Sequence, residues 1–467
     1  MDIGNTCFAS RIPASASSSS AASARSLPGV PGKTLATSSV RRKRKQSMFT
    51  ITAHYNQYLP VGQNSMQAIL SLEVSPDVQA SPSPLTLAIA LDHSGSMEGS
   101  RLRSACEATT RVIQALDGSI TFMLIAFNHK ADSLYGPAMA TATHKRQAIE
   151  KLRRVKADMG TRMSTALNLI TEKLGKRDTH TRKVLFLTDG KNEGEARSEL
   201  DQAIARCAAA NVSIHAWGIG TDWDEKELRH MADATHGVAD MIPNPAQIAQ
   251  AFSGSFQEIR TTVLANACLY LWTPMGVSIK KVEQVHPNIV ASGLEADPAN
   301  PRQQVISLGS FTKGERRDYL IELALPAYTP DQQFLVLRPS IAYYTGQAQE
   351  VTEKSTRQGW VFAQCTQNSA LAAQLNPHVA HYIGQEALAQ AITEGQEALA
   401  AGDTARATRV LGRALEISER SGNERITRLL SAIVQRDARG TIQLSKQADI
   451  VATKKLALNI GHTSKLK

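Results

Sequence analysis

Leu85-Thr86-Leu87-Ala88-Ile89-Ala90-Leu91-Asp92-His93-Ser94-Gly95-Ser96 is an apolar run that stops on an aspartate, followed by two serines at alternate positions around a glycine. A run with so little polar alternation suits a strand covered on both faces, which is the habit of parallel sheets. Val184-Leu185-Phe186-Leu187 repeats the pattern and stops on Thr188-Asp189-Gly190. In open parallel sheets the crevice past the carboxyl ends of the strands collects ligands, so both aspartates are expected there.

Working outward, strand and helix patterns alternate over residues 83–256. Leu102, Ala105, Cys106, Thr109, Val112, Ile113 and Leu116 recur at helical spacing. Ile120 to Phe127 reads as the next buried strand, and Leu200, Ala203, Ile204 and Cys207 as another helix face. Val212 to Trp217 is a further strand, closed by Gly218-Ile219-Gly220. The pattern predicts an α/β fold, a doubly wound, mostly parallel, Rossmann-like sheet with helices on both faces.

The flanks differ. Residues 48–82 hold two alternating strands, and residues 257–350 hold strand-like runs separated by Pro and Gly with no helices between them. These predict an antiparallel β-sandwich that the early strands join, with the α/β unit inserted in it. Residues 376–436 carry helical stripes broken at Gly402-Asp403 and Gly422-Asn423, one of which resembles half of a tetratricopeptide hairpin; core packing is the expected use. Residues 437–467 read as a basic, mobile tail in which Thr441 to Leu444 is strand-like. Trp360 and Tyr343-Tyr344 read as packing residues.

The chain has 467 residues and a formal net charge of +10. Residues 1–47 hold eight Lys or Arg against Asp2 alone, which is seven of those ten charges. The remainder is nearly balanced, which weighs against nucleic acid as a partner. This Ala/Ser-rich stretch, ending in Arg41-Arg42-Lys43-Arg44-Lys45, is expected to be disordered. A basic arm and a targeting peptide are alternatives to the reading adopted, an extension upstream of a start at Met48. No apolar run is long enough to span a membrane. The scattered cysteines (Cys7, Cys106, Cys207, Cys268, Cys365) lack metal or disulfide spacing, and the expected setting is cytoplasmic.

Asp92, Ser94, Ser96, Thr161 and Asp189 make an all-oxygen donor set. Hard oxygen ligands with few charges suit Mg²⁺ or Mn²⁺. Three of the five are neutral hydroxyls, so a bound ion would keep much of its charge and favour an incoming carboxylate, an Asp or Glu of a protein partner. The expected role is a binding module and not an enzyme. The alternative is a metal-dependent hydrolase or phosphotransfer enzyme using the same cup, for which the sequence offers neither a Walker loop nor a second metal cluster. His93 reads as a packed or hydrogen-bonding residue, and Asp222 and Asp224 as loop and N-cap residues.

The D-x-S-x-S element, Gly160-Thr161 with Met163 and Ala166-Leu167, and Thr188-Asp189-Gly190 resemble the metal-ion-dependent adhesion site of the von Willebrand factor type A domain family, over about residues 84–256. The resemblance implies Ser94 and Ser96 as direct ligands, Thr161 as direct or water-linked, and Asp92 and Asp189 as largely second-sphere. It also implies that the last helix of the domain, about residues 245–256, shifts when a ligand carboxylate closes the metal. The wider layout is similar to bacterial intracellular members, which often work beside ATPases of the AAA class. The tail departs from the acidic, Thr-rich pattern of such proteins, which weighs against a phosphothreonine role for Thr463.

Overall fold

The structure is a computed structural model that describes residues 47–77, 83–175, 179–347, 349–436, 442–444 and 450–466. The basic extension of residues 1–46 lies outside the described residues. The chain opens with β1 (Phe49–Tyr55), β2 (Tyr58–Pro60) and β3 (Ser65–Val74). The α/β unit follows: β4 (Leu85–Asp92), α1 (Ser100–Ala115), β5 (Thr121–Phe127), β6 (Ala131–Met139), α2 (Ala142–Leu152), α3 (Met163–Leu174), β7 (Thr181–Thr188), α4 (Arg197–Ala209), β8 (Val212–Ile219), α5 (Glu225–Ala234), β9 (Ala239–Ile242) and α6 (Ile248–Arg260). Its sheet runs β6-β5-β4-β7-β8-β9, parallel except for the edge strand β6.

Every residue of β4 is buried, because the two faces divide its side chains between two cores. Leu85, Leu87, Ile89 and Leu91 pack with Val112, Phe252 and Phe256 of α1 and α6. Ala88 and Ala90 face Leu167, Ile170 and Leu200 of α3 and α4. The strand order reverses between β4 and β7, so Asp92 and the residues after Thr188 end side by side at the switch point.

The chain then runs through β10 (Thr262–Trp272), β11 (Ser278–His286), β12 (Val290–Ala291), β13 (Glu295–Ala296), β14 (Gln303–Thr312), β15 (Arg316–Ala324), β16 (Gln333–Thr345), β17 (Glu350–Lys354) and β18 (Val361–Thr366). One sheet is β1-β3-β15-β11-β12; the other is β13-β14-β10-β16-β18-β2, with β17 on β16. Their facing side chains, among them Leu70, Leu72, Leu269, Phe311 and Ile341, form one core. Strands from before and after the α/β unit share each sheet, so that unit is an insertion in the sandwich.

Two differences from the sequence reading have clear causes. The sequence separates Phe334–Leu337 from Ser340–Tyr344 at Pro339, but the two form one strand because β10 pairs through Arg338 and Pro339, while on the other edge β18 pairing ends at Leu337 and β17 pairing begins at Ser340. A proline is tolerated at that changeover. Strands β17 and β18 also carry the sandwich past residue 350.

Helices α7 (Ser369–Ala372), α8 (Pro377–Ala400), α9 (Thr404–Arg420) and α10 (Glu424–Ile433) come next, with Asp403 and Asn423 capping the last two. They are followed by β19 (Val434–Arg436), β20 (Ile442–Leu444) and α11 (Ile450–Leu458). The expectation of a mobile tail is corrected for its described residues. Ala452 and Leu456 of α11 enter the helical core, and Leu458 enters the α/β core. Lys454 lies 4.7 Å from the Trp223 ring centre and pairs with Glu225 at 3.1 Å. Thr463 is buried and donates to Val285 O at 2.7 Å. The lysines made this segment read as solvated, yet their stems and neighbours cover apolar surface.

A buried ion pair ties the helical end to the sandwich. Asp318 receives Arg316 Nε at 2.8 Å and Arg316 Nη2 at 3.0 Å, and accepts the Tyr382 hydroxyl of α8. Burial pushes its carboxyl up, but the hydrogen bonds and charge of Arg316 and the Tyr382 hydroxyl more than reverse this and hold it below the usual range. Asp318→Ala strands the arginine and is expected to cost about 3 kcal/mol in urea unfolding, against about 1 kcal/mol for Tyr382→Phe. Because the folded pKa is depressed, the contribution of Asp318 is full above about pH 4 and fades as the pH falls through the folded value. Equal losses in the two variants would contradict this reading.

Candidate metal centre

Three loops meet at the switch point. In the first, Asp92 closes β4 and the chain turns at once, with Ser94 N donating to Asp92 Oδ1 at 2.8 Å. The turn Gly95–Met97 follows, pinned by the fully buried Met97, and α1 begins at Ser100. In the second, Gly160 has φ of +86°, and a Cβ there would lie 2.9 Å from His129 Cβ. Only glycine fits both the backbone and the space. Arg162 N donates to the carbonyl of the buried Asn128 at 2.7 Å, which fixes where Thr161 stands. In the third, Glu193 N donates to Thr161 O at 2.7 Å, while Asn192 and Glu195 accept from the first backbone amides of α3, Met163 and Ser164, each at 3.0 Å. The orphan amides of α3 are thus satisfied by the loop after β7, which locks the second and third loops together.

All five residues named from the sequence converge here. Asp92 and Asp189 are fully buried, Ser94 and Thr161 nearly so, and Ser96 is exposed. Ser94 Oγ and Ser96 Oγ are 3.1 Å apart, and Ser96 Oγ donates to Asp189 Oδ1 at 2.6 Å. A Cβ on Gly190 would have Thr161 Oγ1 at 3.5 Å and Ser96 Oγ at 3.6 Å, so the second loop's hydroxyl comes to the same small space. Because Ser96 directs its proton at Asp189, Ser94 is the donor in the Ser94–Ser96 contact, which leaves one Ser96 lone pair for the cup.

Both oxygens of Asp92 are engaged, the second by Thr188 Oγ1 at 2.5 Å. Burial pushes the Asp92 carboxyl up to about 6, against the hydrogen bonds from Thr188 and Ser94, and the charge of Asp189 adds to the rise. Asp189 Oδ2 accepts from Arg101 Nη1 at 2.6 Å, and Arg101 also reaches Asp222 at 3.6 Å. Two dry carboxylates therefore face one half-exposed guanidinium, and the cup is short of positive charge.

The donor set fits a small divalent ion. Octahedral ligands about 2.1 Å from a metal stand about 3.0 Å apart along an edge, close to the Ser94–Ser96 separation. Among the described residues no group of three or more His, Cys, Asp or Glu side chains is placed to hold a metal, so hydroxyl donors carry this possibility.

His93 lies beside the cup, its Nδ1 2.9 Å from Lys156 O, and Asp224 caps α5, as read from the sequence. Arg101, Asn128 and Glu195 were missed. Asn128 follows a strand end as Asp92 and Asp189 do, a signal that was available; the partners of Arg101 and Glu195 lie in other segments.

The family model described as von Willebrand factor type A domain matches residues 86–254. The chain is 27% identical to a von Willebrand factor type A structure from Catenulispora acidiphila, covering 90% of this chain and 97% of that one with a TM-score of 0.81. The ArnB paralog VWA2 from Sulfolobus acidocaldarius shares the fold, with 15% identity, a TM-score of 0.60, and 88% and 98% of the two chains covered. The uncharacterized protein sll0103 of Synechocystis is 28% identical over 266 residues, which are 54% of this chain and 60% of that protein. The inter-alpha-trypsin inhibitor heavy chain H2 of Sus scrofa is 26% identical over 195 residues, 40% of this chain and 21% of the relative. The matched regions thus span less than two thirds of either curated relative.

Thr188 is expected to matter through Asp92. Thr188→Val keeps the shape but leaves a buried carboxylate oxygen without its donor, at a cost of about 1–3 kcal/mol. Gly160→Ala should cost about 1–3 kcal/mol through backbone strain alone. Thermal melts of both variants check this; midpoints equal to wild type would show the loops to be slack.

Proposed function

We propose that this chain, a von Willebrand factor type A domain protein, holds Mg²⁺ or Mn²⁺ in the cup and uses it to capture an Asp or Glu side chain of a protein partner. Domains of this family commonly mediate protein–protein interaction and commonly use a divalent ion. The observation that carries the reading is the convergence of Ser94, Ser96 and Thr161 hydroxyls over two fully buried carboxylates at the sheet's switch point.

When bound, the ion supplies uncompensated positive charge at a position open to solvent. The residues of this chain do the rest. Ser94 and Ser96 turn lone pairs outward. Asp189 holds the Ser96 proton from behind, Asp92 fixes the Ser94 backbone, and Arg101 adds a charge that favours an acidic ligand. His93 is held by a carbonyl at one ring nitrogen. We read the cup as a binding site, and the proposed function is non-enzymatic. No helix among the described residues is long and apolar enough to cross a membrane.

Calorimetric titration with MgCl₂ or MnCl₂ is expected to show one saturable site. Asp92→Ala or Ser94→Ala should weaken it at least tenfold, about 1.4 kcal/mol or more. Capture of partners from a lysate should fail in EDTA and in both variants, with unchanged circular dichroism. Capture that survives chelation would refute the metal-dependent reading. Turnover of p-nitrophenyl phosphate that is lost in Asp92→Ala would favour the enzymatic alternative.

A further inference from the structure

A second cleft lies far from the metal centre, where the α/β unit meets the sandwich. Its volume is about 820 Å³, and an adjoining space of about 760 Å³ shares His215, Asp233, Glu258 and Asn288 with it. Clefts of 300–1,000 Å³ with apolar walls and a few convergent polar groups are the usual ligand sites. Lys183 and Asp189 are six residues apart on one strand and its end, so the cleft stands about 20 Å from the cup.

The polar groups lining the cleft are costly to bury. Lys183 is 7% exposed, yet its ammonium donates only to Ser213 Oγ, at 3.3 Å, and has no ion-pair partner within 4 Å among the described residues. Burial lowers it to about 8, with Glu315 and Glu258 opposing that fall and Arg317 adding to it. Neither acid relieves it directly. Arg317 takes Glu315 in an ion pair of 2.6 Å, and Glu258 stands beyond ion-pair reach. His215 is 6% exposed and Thr262 3%; His215 Nε2 and Thr262 Oγ1 are buried without hydrogen-bond partners. Native proteins rarely leave such groups unmatched, and each costs about 1–3 kcal/mol. All three residues line the cleft, and Ala205, Ala208, Ala209 and Val290 give it an apolar wall.

We propose that this interdomain cleft binds a small organic anion, an acidic head on an apolar body, with Lys183, His215 and Thr262 receiving the head. A carboxylate or a phosphate head would satisfy the ammonium, and small side-chain rotations would bring His215 Nε2 and Thr262 Oγ1, sealed from solvent here, to the same head. The alanine wall would take the body. The cleft sits between β7 and β8 of one unit and β11 and β14 of the other, so an occupant would touch both units at once.

The probe is 8-anilinonaphthalene-1-sulfonate, which has the required chemistry, titrated into the full chain. One saturable site is expected, unchanged by EDTA, and at least tenfold weaker in Lys183→Met. Ala208→Phe, which fills the apolar wall, should weaken the probe similarly and covers the case in which the lysine variant does not fold. Displacement by octanoate identifies a carboxylate head, and by phenyl phosphate a phosphate head. Non-saturable binding, equal affinity in wild type and both folded variants, or displacement by neither competitor would overturn the proposal.

Discussion

Two carboxylates sealed from water at the ends of adjacent parallel strands set the terms for the rest of this structure. Asp92 and Asp189 are both fully buried; Arg101 pairs with Asp189, and among the described residues Asp92 has no ion-pair partner. Such a pair is destabilising unless hydrogen bonds and a cation compensate. Thr188, the Ser94 amide and the Ser96 hydroxyl supply the hydrogen bonds. The Ser94, Ser96 and Thr161 hydroxyls gather in the same small space above the two carboxylates.

The surroundings make that arrangement rigid. Cross-loop bonds from Asn192 and Glu195 to the start of α3, and from Arg162 to Asn128, hold three separate chain segments in register. Below the cup, the α/β unit is clamped at both ends of its sequence by the sandwich. The C-terminal segment adds a third tie: Lys454 reaches Trp223 O at 2.7 Å, His462 O accepts from Asn423 Nδ2 at 2.9 Å, and Thr463 N donates to Pro287 O at 2.9 Å.

Much of this was legible in the sequence because it is local. Apolar runs ending on Asp92 and Asp189 marked both the sheet and the site, and the alternate serines marked the turn. Asp224 was legible as a cap, and Gly402-Asp403 and Gly422-Asn423 as helix breaks, for the same reason. What escaped notice depends on contacts between distant segments. Arg101 is one exposed-looking cation on a helix until β7 brings Asp189 beside it. The edge strand β6 has no buried stripe, and a Cβ on its Gly136 would lie 2.4 Å from Phe122 O. The tail helix is short and sits in a Lys- and Thr-rich stretch, so its apolar residues did not announce it; the surfaces it meets make it a strap.

The most direct measurement is a crystal of the full chain grown with MnCl₂, with anomalous scattering recorded at the manganese edge. The account predicts one strong peak at the cup, about 2.1 Å from Ser94 Oγ and Ser96 Oγ, with a water or carboxylate oxygen on its solvent side. A map with no peak there, or with manganese bound only elsewhere, would contradict it.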